Sequence, residues 1–346
     1  MKKMKLVLMA AMCLVITISM FSGCISSDDE EEHEAVTLKV LHAGSLASPF
    51  EKIEAEFEAE YPYIDVQLEA AGSVSCVNKI IETGVEADVL ASADYTLIPS
   101  MMMPDYADWY VLFASNEMVL TYSDNSNYAD EITADNWYDI LRRDDVLWAF
   151  SNPNLDPCGY RTPMVIQLAE LEYGDDMIFD DLIVANSAIS VEESSGVYTI
   201  TAPEALDPDT DYLTIRDKSV DLVAMIQEGG LDYAWEYLSV AVQNDLNYIR
   251  LPSSINLSSV SYADTYDNVS IILSNGGTQT GKPIVYGITI PLNAPNAEEA
   301  ALFVEYVING IGQGIFTEDG QPPIVPAGVN DIDLVPGGLE EYLEEI

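Results

Sequence analysis

Four short stretches of the chain carry residue types and spacings suited to chemistry. In LHAGSL (41–46) and AAGSVSC (70–76) an apolar run ends in a glycine and a serine, Gly44-Ser45 and Gly72-Ser73, just before residues with helical spacing. A helix start leaves backbone N–H groups unpaired and carries partial positive charge, so such a turn can hold an oxyanion without a lysine. The plainer reading of either copy is a tight turn with a capping hydroxyl; two copies after successive strands strengthen the ligand reading. In SNPNLDPCGYR (151–161) Pro153, Pro157 and Gly159 force an irregular backbone, Asp156 is held extended by the proline after it, and Arg161 follows near the next helix start. An Asp turn with Arg161 as its structural partner is the alternative there. In DYAWEYLSVA (232–241) Glu236 and Tyr237 stand together at the end of an apolar strand. Side chains alternate along a strand, so only one of the two faces a cleft unless the strand stops at that point. Tyr237 also suits a core with its hydroxyl satisfied, whereas a carboxylate in such a strand needs a partner.

These residues do not assemble into a familiar catalytic set. The chain has 2 histidines, His33 in an acidic run and His42 before the first turn, so no histidine metal site or proton relay is built. Ser45 or Ser73 with His42 lacks the nucleophile-elbow motif. Asp156 with Glu236 leaves open a secreted carboxylate-pair glycoside hydrolase. Such an enzyme needs a groove with aromatic platforms, and the small-residue turns favour a pocket that closes on something small. No cofactor is expected.

The elements that must position these residues alternate. TLKVLHAGS is a strand and turn, followed by a helix with Leu46, Phe50, Ile53 and Phe57 on one face and Pro62 at its end. IDVQLEAAGS repeats the unit, with a helix opening at Ser75 or a neighbour and stopping at Gly84, and ADVLASAD is a third strand. Strand, short turn and helix in succession imply right-handed crossovers and a parallel sheet, an α/β fold. ADWYVLFASNEMVLTYS (107–123) and KPIVYGITIPLNAPN (282–296) are long extended runs that read as crossovers between two domains. The expected division is residues 36–112 plus 289–346 for domain I and 113–288 for domain II, with hinges at 112–118 and 282–290. Residues 190–212 show no clear periodicity and read as a surface excursion.

Composition sets the outer bounds. The 346 residues hold 59 acidic and 13 basic side chains, a formal net charge of -46. Nucleic-acid binding needs clustered Lys and Arg, which are absent. A surface this acidic stays soluble in concentrated salt, which points to a salt-loving source or to calcium on surface carboxylates. Residues 1–24 have the cationic start, apolar middle and small-residue exit of a secretory signal, and Ser22-Gly23-Cys24 is similar to a lipobox, with Cys24 as the lipidated residue. An uncleaved span is the alternative. Residues 25–35 form an acidic tether. Cys76 and Cys158 then remain, on opposite walls of the expected cleft; one bridge between them is the alternative, but it would lock the cleft shut, so free, buried thiols are expected. Asn256 and Asn268 lie in sequons that permit glycosylation.

Taken together, LHAGSL, AAGS, SNPNLDPCGYR, DYAWEYLSVAVQ, GKPIVYGITIP and GQPPIVPA resemble the archaeal tungstate and molybdate substrate-binding proteins of ABC transporters, the WtpA type of the molybdate-binding family. The resemblance covers nearly the whole mature chain. It implies a two-lobed periplasmic-binding-protein fold of type II, two α/β domains joined by two crossover strands, closing on one oxyanion. It also implies a lipid-anchored monomer on the outer face of the cell membrane that serves a permease with a cytoplasmic ATPase. Sulfate or phosphate is the alternative ligand. Carried over, the ligand residues are Gly44, Ser45 and Ser73 in the turns, Asp156 followed by Pro157 and Cys158, and Tyr237. Relatives place a glutamate where this chain has Ser219, so Glu236 is expected to join Asp156 as the second carboxylate on the tungsten or molybdenum.

Overall fold

Three sheets organise residues 34–346, the part of the chain that the computed structural model describes. The expected secretory signal, the expected lipidation site Cys24 and most of the expected acidic tether lie outside the described residues. Residues 36–346 cluster as one unit, and no helix among the described residues is long and apolar enough to cross a membrane.

The first sheet draws on both ends of this region. Its strands are β1 (Val36–Ala43), β2 (Ile64–Ala71), β3 (Val89–Ser92) and β4 (Val111–Ser115), then β14 (Val285–Thr289), β15 (Pro323–Val329) and β16 (Leu343–Glu345), in the order β16-β15-β4-β14-β3-β1-β2. The second contains β5 (Met118–Tyr122), β6 (Trp148–Ser151), β9 (Leu213–Arg216), β10 (Tyr233–Tyr237) and β11 (Asn247–Arg250), in the order β11-β5-β10-β6-β9. The third contains β7 (Ser190–Ser194), β8 (Val197–Thr201), β12 (Val269–Ile272) and β13 (Thr278–Thr280), in the order β13-β12-β8-β7. The helices are α1 (Ala47–Glu60), α2 (Ser73–Ile81), α3 (Trp137–Leu141), α4 (Pro157–Tyr173), α5 (Val220–Gln227), α6 (Leu238–Gln243), α7 (Ala263–Tyr266), α8 (Ala297–Ile308) and α9 (Gly310–Glu318).

The apolar spacing of α1 does what its period requires. Phe50, Ile53 and Phe57 are fully buried, and the ring of Phe303 in α8 stands edge-on to Phe50 at 5.8 Å and to Phe57 at 5.4 Å. In the other lobe Trp137 and Trp235 pack at 5.2 Å, nearly perpendicular. Strand β1 runs parallel to both β2 and β3, with Ala43 opposite Ala71 and His42 opposite Ala91, so three strands end at one edge. Strands β10, β6 and β9 are likewise parallel and deliver their carboxyl ends to one edge of the second sheet.

The chain passes between the lobes at 116–117, from β4 to β5, and at 281–284, from β13 to β14. The first passage falls where extended residues 112–118 are expected. The second is shorter than 282–290 and precedes β14, because β14 pairs along its length with β3 and β4 of the first sheet. By strand membership the first sheet therefore extends to Ser115 and resumes at Val285, rather than breaking at 112 and 289. Asn116 ties the passages together: its backbone N–H donates to Ile284 O at 2.8 Å, and its side-chain amide donates to Ser239 Oγ at 2.8 Å and to Tyr286 Oη at 3.2 Å.

Two other expectations change. Residues 190–201 are not an irregular excursion but the hairpin β7–β8, joined at Ser195 (φ 56°) and Gly196 (φ 83°), the two positive-φ positions of a two-residue turn. Most of its residues are exposed, so no buried face marks it in the sequence; β8 is secured by β12, about seventy residues away. Asn256 is 3% exposed and its amide donates to Glu117 and to Leu251 O, which removes it as a surface acceptor for glycan. The Asn268 amide, partly buried, donates to Asp264 O and Thr265 O. Cys76 and Cys158 are free and buried, as expected.

Candidate functional site

The two strand edges meet across a cavity of 520 Å³. Ligands of parallel sheets bind outside such carboxyl ends. From the first sheet come the turn after β1 (Ser45), the turn after β2 (Gly72 to Ser75) and the turn after β3 (Ala93, Asp94). From the second come Asp156, Pro157, Tyr160 and Arg161 after β6, and Tyr237 at the end of β10. Asn116, Gln279, Lys282, Ile284 and Tyr286, in or next to the passages, complete the wall.

The two walls differ in character. On the first, the chain from Gly44 into α1 and the start of α2 at Gly72-Ser73 have no side-chain cap, so their leading N–H groups are left for water or a ligand. Neither glycine has a positive φ, and a Cβ at either would meet nothing within 4 Å. They are not required by turn geometry; they keep the rim open. Ser45 does not cap its helix, and its carbonyl accepts from Gln321 Nε2 at 2.6 Å. Ser73 Oγ accepts from Ala93 N at 3.0 Å and so spans the second and third turns.

On the second wall the helix starts are already occupied, by Asp156. Its Oδ1 accepts from Cys158 N at 3.0 Å, capping α4, and its Oδ2 accepts from Ser219 N at 2.6 Å, at the start of α5. One carboxylate therefore fastens two helix N-termini. Cys158 and Ser219 touch the site through these N–H groups and do not line the cavity; nor does Gly44. The Cys158 thiol is fully buried, and burial, with Glu236 and Asp156 nearby, pushes its pKa well up.

Glu236 is where the structure departs furthest from expectation. Tyr233, Trp235 and Tyr237 face the core that contains Trp148 and Cys158, while Ala234 faces Leu222, Val223 and Ile226. Alternation sends Glu236 to that second face, beneath the start of α5 and off the cavity lining. It is 0% exposed, and neither carboxyl oxygen makes a hydrogen bond of ordinary geometry. Burial, reinforced by Asp156, pushes its pKa up to about 8, although the Ser219 hydroxyl and the Tyr237 amide moderate the rise.

Three residues of the lining, Arg161, Lys282 and Tyr286, were not among the expected ligand residues. Arg161 does not pair with Asp156; it donates to the Tyr237 hydroxyl, and the rings of Tyr160 and Tyr237 lie 5.4 and 5.5 Å from its guanidinium carbon. Burial opposes its charge, but the two phenols more than offset that, so it stays charged. Lys282 pairs with Asp94, whose other oxygen accepts from Thr96; burial works against the Asp94 charge, but these partners hold its pKa below the usual range. Tyr286 Oη accepts from Asn116 and from Gln321, at 3.2 Å each. The available signal was scarcity. With 59 acids against 13 basic residues, each cation among the described residues carries weight. Two cations, Arg161 and Lys282, thus line the cavity together with two carboxylates, Asp94 and Asp156. His42 takes no part: it is buried, bonded to Ala43 O, and burial lowers its pKa.

Comparison with known proteins gives a consistent picture. The model of the family described as bacterial extracellular solute-binding protein matches residues 38–321. A solute-binding protein of Methanoculleus marisnigri is 55% identical, with 97% of each chain covered. A protein named molybdate/tungstate-binding protein WtpA, from Thermococcus kodakarensis, is 44% identical, with 94% of each covered. A solved substrate binding domain assigned to a molybdenum ABC transporter of Clostridium difficile superposes with a TM-score of 0.56 at 19% identity, over 84% of this chain and 99% of that one. The expected two-lobed α/β fold and the resemblance to WtpA-type proteins are both borne out.

Proposed function

The chain belongs to the bacterial extracellular solute-binding protein family, and from that premise we propose that it captures a tungstate or molybdate ion in the cavity between its sheets. The observation that carries this reading is the pairing of opposite walls, open helix starts on one side and the fastened Asp156 on the other. Relatives at 44% identity named for molybdate and tungstate support the choice of anion.

In this reading Ser45, Ser73 and the N–H groups from Gly44 and Gly72 onward donate to the oxyanion, Tyr237 donates from the facing wall, and Pro157 shapes the loop. Tungsten and molybdenum accept further oxygen ligands and sulfur in sulfate does not, so Asp156 attracts one anion and repels the other. Cys158 and Ser219 act by holding Asp156. Glu236 lies behind Asp156, so its joining the metal requires it to turn past Ser219. The protein catalyses no reaction and needs no cofactor. It works as a monomer held to the outer membrane face through Cys24, and releases its anion to a permease with a cytoplasmic ATPase.

Calorimetric titration with tungstate, molybdate, sulfate and phosphate tests the reading. Heat with tungstate or molybdate is expected, together with X-ray absorption showing more than four oxygens around the metal. Asp156→Asn is expected to weaken binding by more than the roughly 1.5 to 3 kcal/mol of a charged hydrogen bond. A second reading, an oxyanion such as sulfate held by hydrogen bonds alone, is favoured by Ser219 in place of a carboxylate and by Glu236 lying off the lining. Heat with sulfate or phosphate only would select it, and turnover of a glycan would reject both.

A further inference from the structure

We propose that Arg161 is a positioning residue for the bound anion: it fixes Tyr237 as a hydrogen-bond donor into the cavity and leaves its own charge uncompensated beside it. This deepens the functional reading above and rests on it.

The argument starts from what each group can do. A guanidinium has donors and no acceptor, whereas a phenol has one proton and can also accept. The contact from Arg161 Nη1 to Tyr237 Oη therefore has one polarity: arginine donates and the phenol accepts. The phenol's own proton needs another acceptor. Among the described residues the Tyr237 hydroxyl has no other hydrogen-bond partner, and both side chains line the cavity. A deprotonated oxyanion offers acceptors only, so it is the ligand that such a hydroxyl fits. On the opposite wall two N–H donors likewise fill the acceptor side of Tyr286, whose hydroxyl lies next to that of Ser45.

The charge supports the same role. Lys282, the other cation lining the cavity, is neutralised by Asp94. Arg161 has no carboxylate within the 4.0 Å of an ion pair among the described residues, in a chain with 59 acidic side chains. It also lies one turn from the N-terminus of α4, where the helix dipole disfavours a cation. A structural arginine would sit better beside Asp156, five residues away. Stacking against Tyr160 and Tyr237 instead keeps the planar group at the cavity wall.

The test compares the parent with Arg161→Met, Arg161→Lys, Tyr237→Phe and the Met/Phe double variant, with a thermal midpoint for each. Titration with tungstate, molybdate, sulfate and phosphate measures affinity, and ¹³Cζ-tyrosine NMR of the ligand-free protein reports on the Tyr237 phenol. Arg161→Met is expected to weaken binding about 10- to 100-fold, the range of a charged hydrogen bond, and to move the Tyr237 resonance. In the Tyr237→Phe background the same change is expected to cost less than in the parent, because the phenol's route to the anion is gone and only the charge remains. Arg161→Lys restores the salt dependence of binding but not the full affinity. Should Arg161→Met fail to fold, Arg161→Lys measured against Tyr237→Phe carries the comparison. Parent-like binding by Arg161→Met, full rescue by lysine, losses that simply multiply, or an unmoved Tyr237 resonance would each overturn the proposal alone. Silence of the parent toward all four anions would overturn the functional reading and this proposal with it.

Discussion

Glu236 shows how an individual side chain can be noticed in a sequence while its setting stays hidden. A carboxylate in the apolar run YAWEY needs an explanation, and the fold buries it beneath the start of α5. Its pKa in the fold is about 8 against an ordinary 4.5, because burial and Asp156 both disfavour the anion. The folded protein thus keeps a proton that the unfolded chain releases. Stability from the neutral acid is complete below about pH 4.5 and is lost as pH rises through about 8, at roughly 1.4 kcal/mol per pH unit between them. Glu236→Gln, which cannot ionise, is expected to match the parent near pH 5 and to exceed it near pH 8.5 by on the order of 4 kcal/mol. Denaturant midpoints of the ligand-free proteins at both values check this, and parallel pH profiles would refute it. Asp156, by contrast, was readable from its setting before Pro157. Arg161 stood in plain view, but spacing along a chain does not say which way a long side chain turns.

Among the elements, α4 matters most to the site, since Asp156 caps it and Arg161 projects from it. Its seat on the end of β6 is set by Gly159, where a Cβ would come within 2.4 Å of Ser151 O and 2.6 Å of the Asn152 carbonyl carbon. Those are backbone atoms that cannot swing aside. Gly159→Ala is expected to cost about 3 kcal/mol of stability, the upper end of overpacking effects, and to weaken anion binding as the helix shifts. Gly72→Ala, whose methyl meets nothing within 4 Å, is expected to leave the denaturation midpoint unchanged. Urea unfolding of the two variants side by side is the check. The strand–turn–helix units of the first lobe were legible because burial imposes a period on α1, and the paired turns after β1 and β2 followed from parallel register. The β7–β8 hairpin was not, because its faces are mostly exposed and a distant strand holds it.

For the protein as a body the question is closure. A cavity of 520 Å³ is far roomier than one tetrahedral oxyanion requires, and the chain crosses between its walls at 116–117 and 281–284. Small-angle scattering is expected to show a smaller radius of gyration under saturating tungstate, and an unchanged profile would count against a hinge. Much of this plan could be read from the chain alone: the alternating elements, two extended passages, a strongly acidic composition, and the loop aspartate. Those features depend on local pattern or on sums over composition, which a linear string preserves. Folding in three dimensions settled the rest. It sent Glu236 to the far face of its strand, drew Asp156 onto two helix starts, turned Arg161 to a phenol rather than a carboxylate, and closed Asn256 into the passage between lobes. Each of those outcomes depends on which remote groups share a neighbourhood, and in a low-dielectric pocket neighbours within a few ångströms set charge, proton position and hydrogen-bond direction.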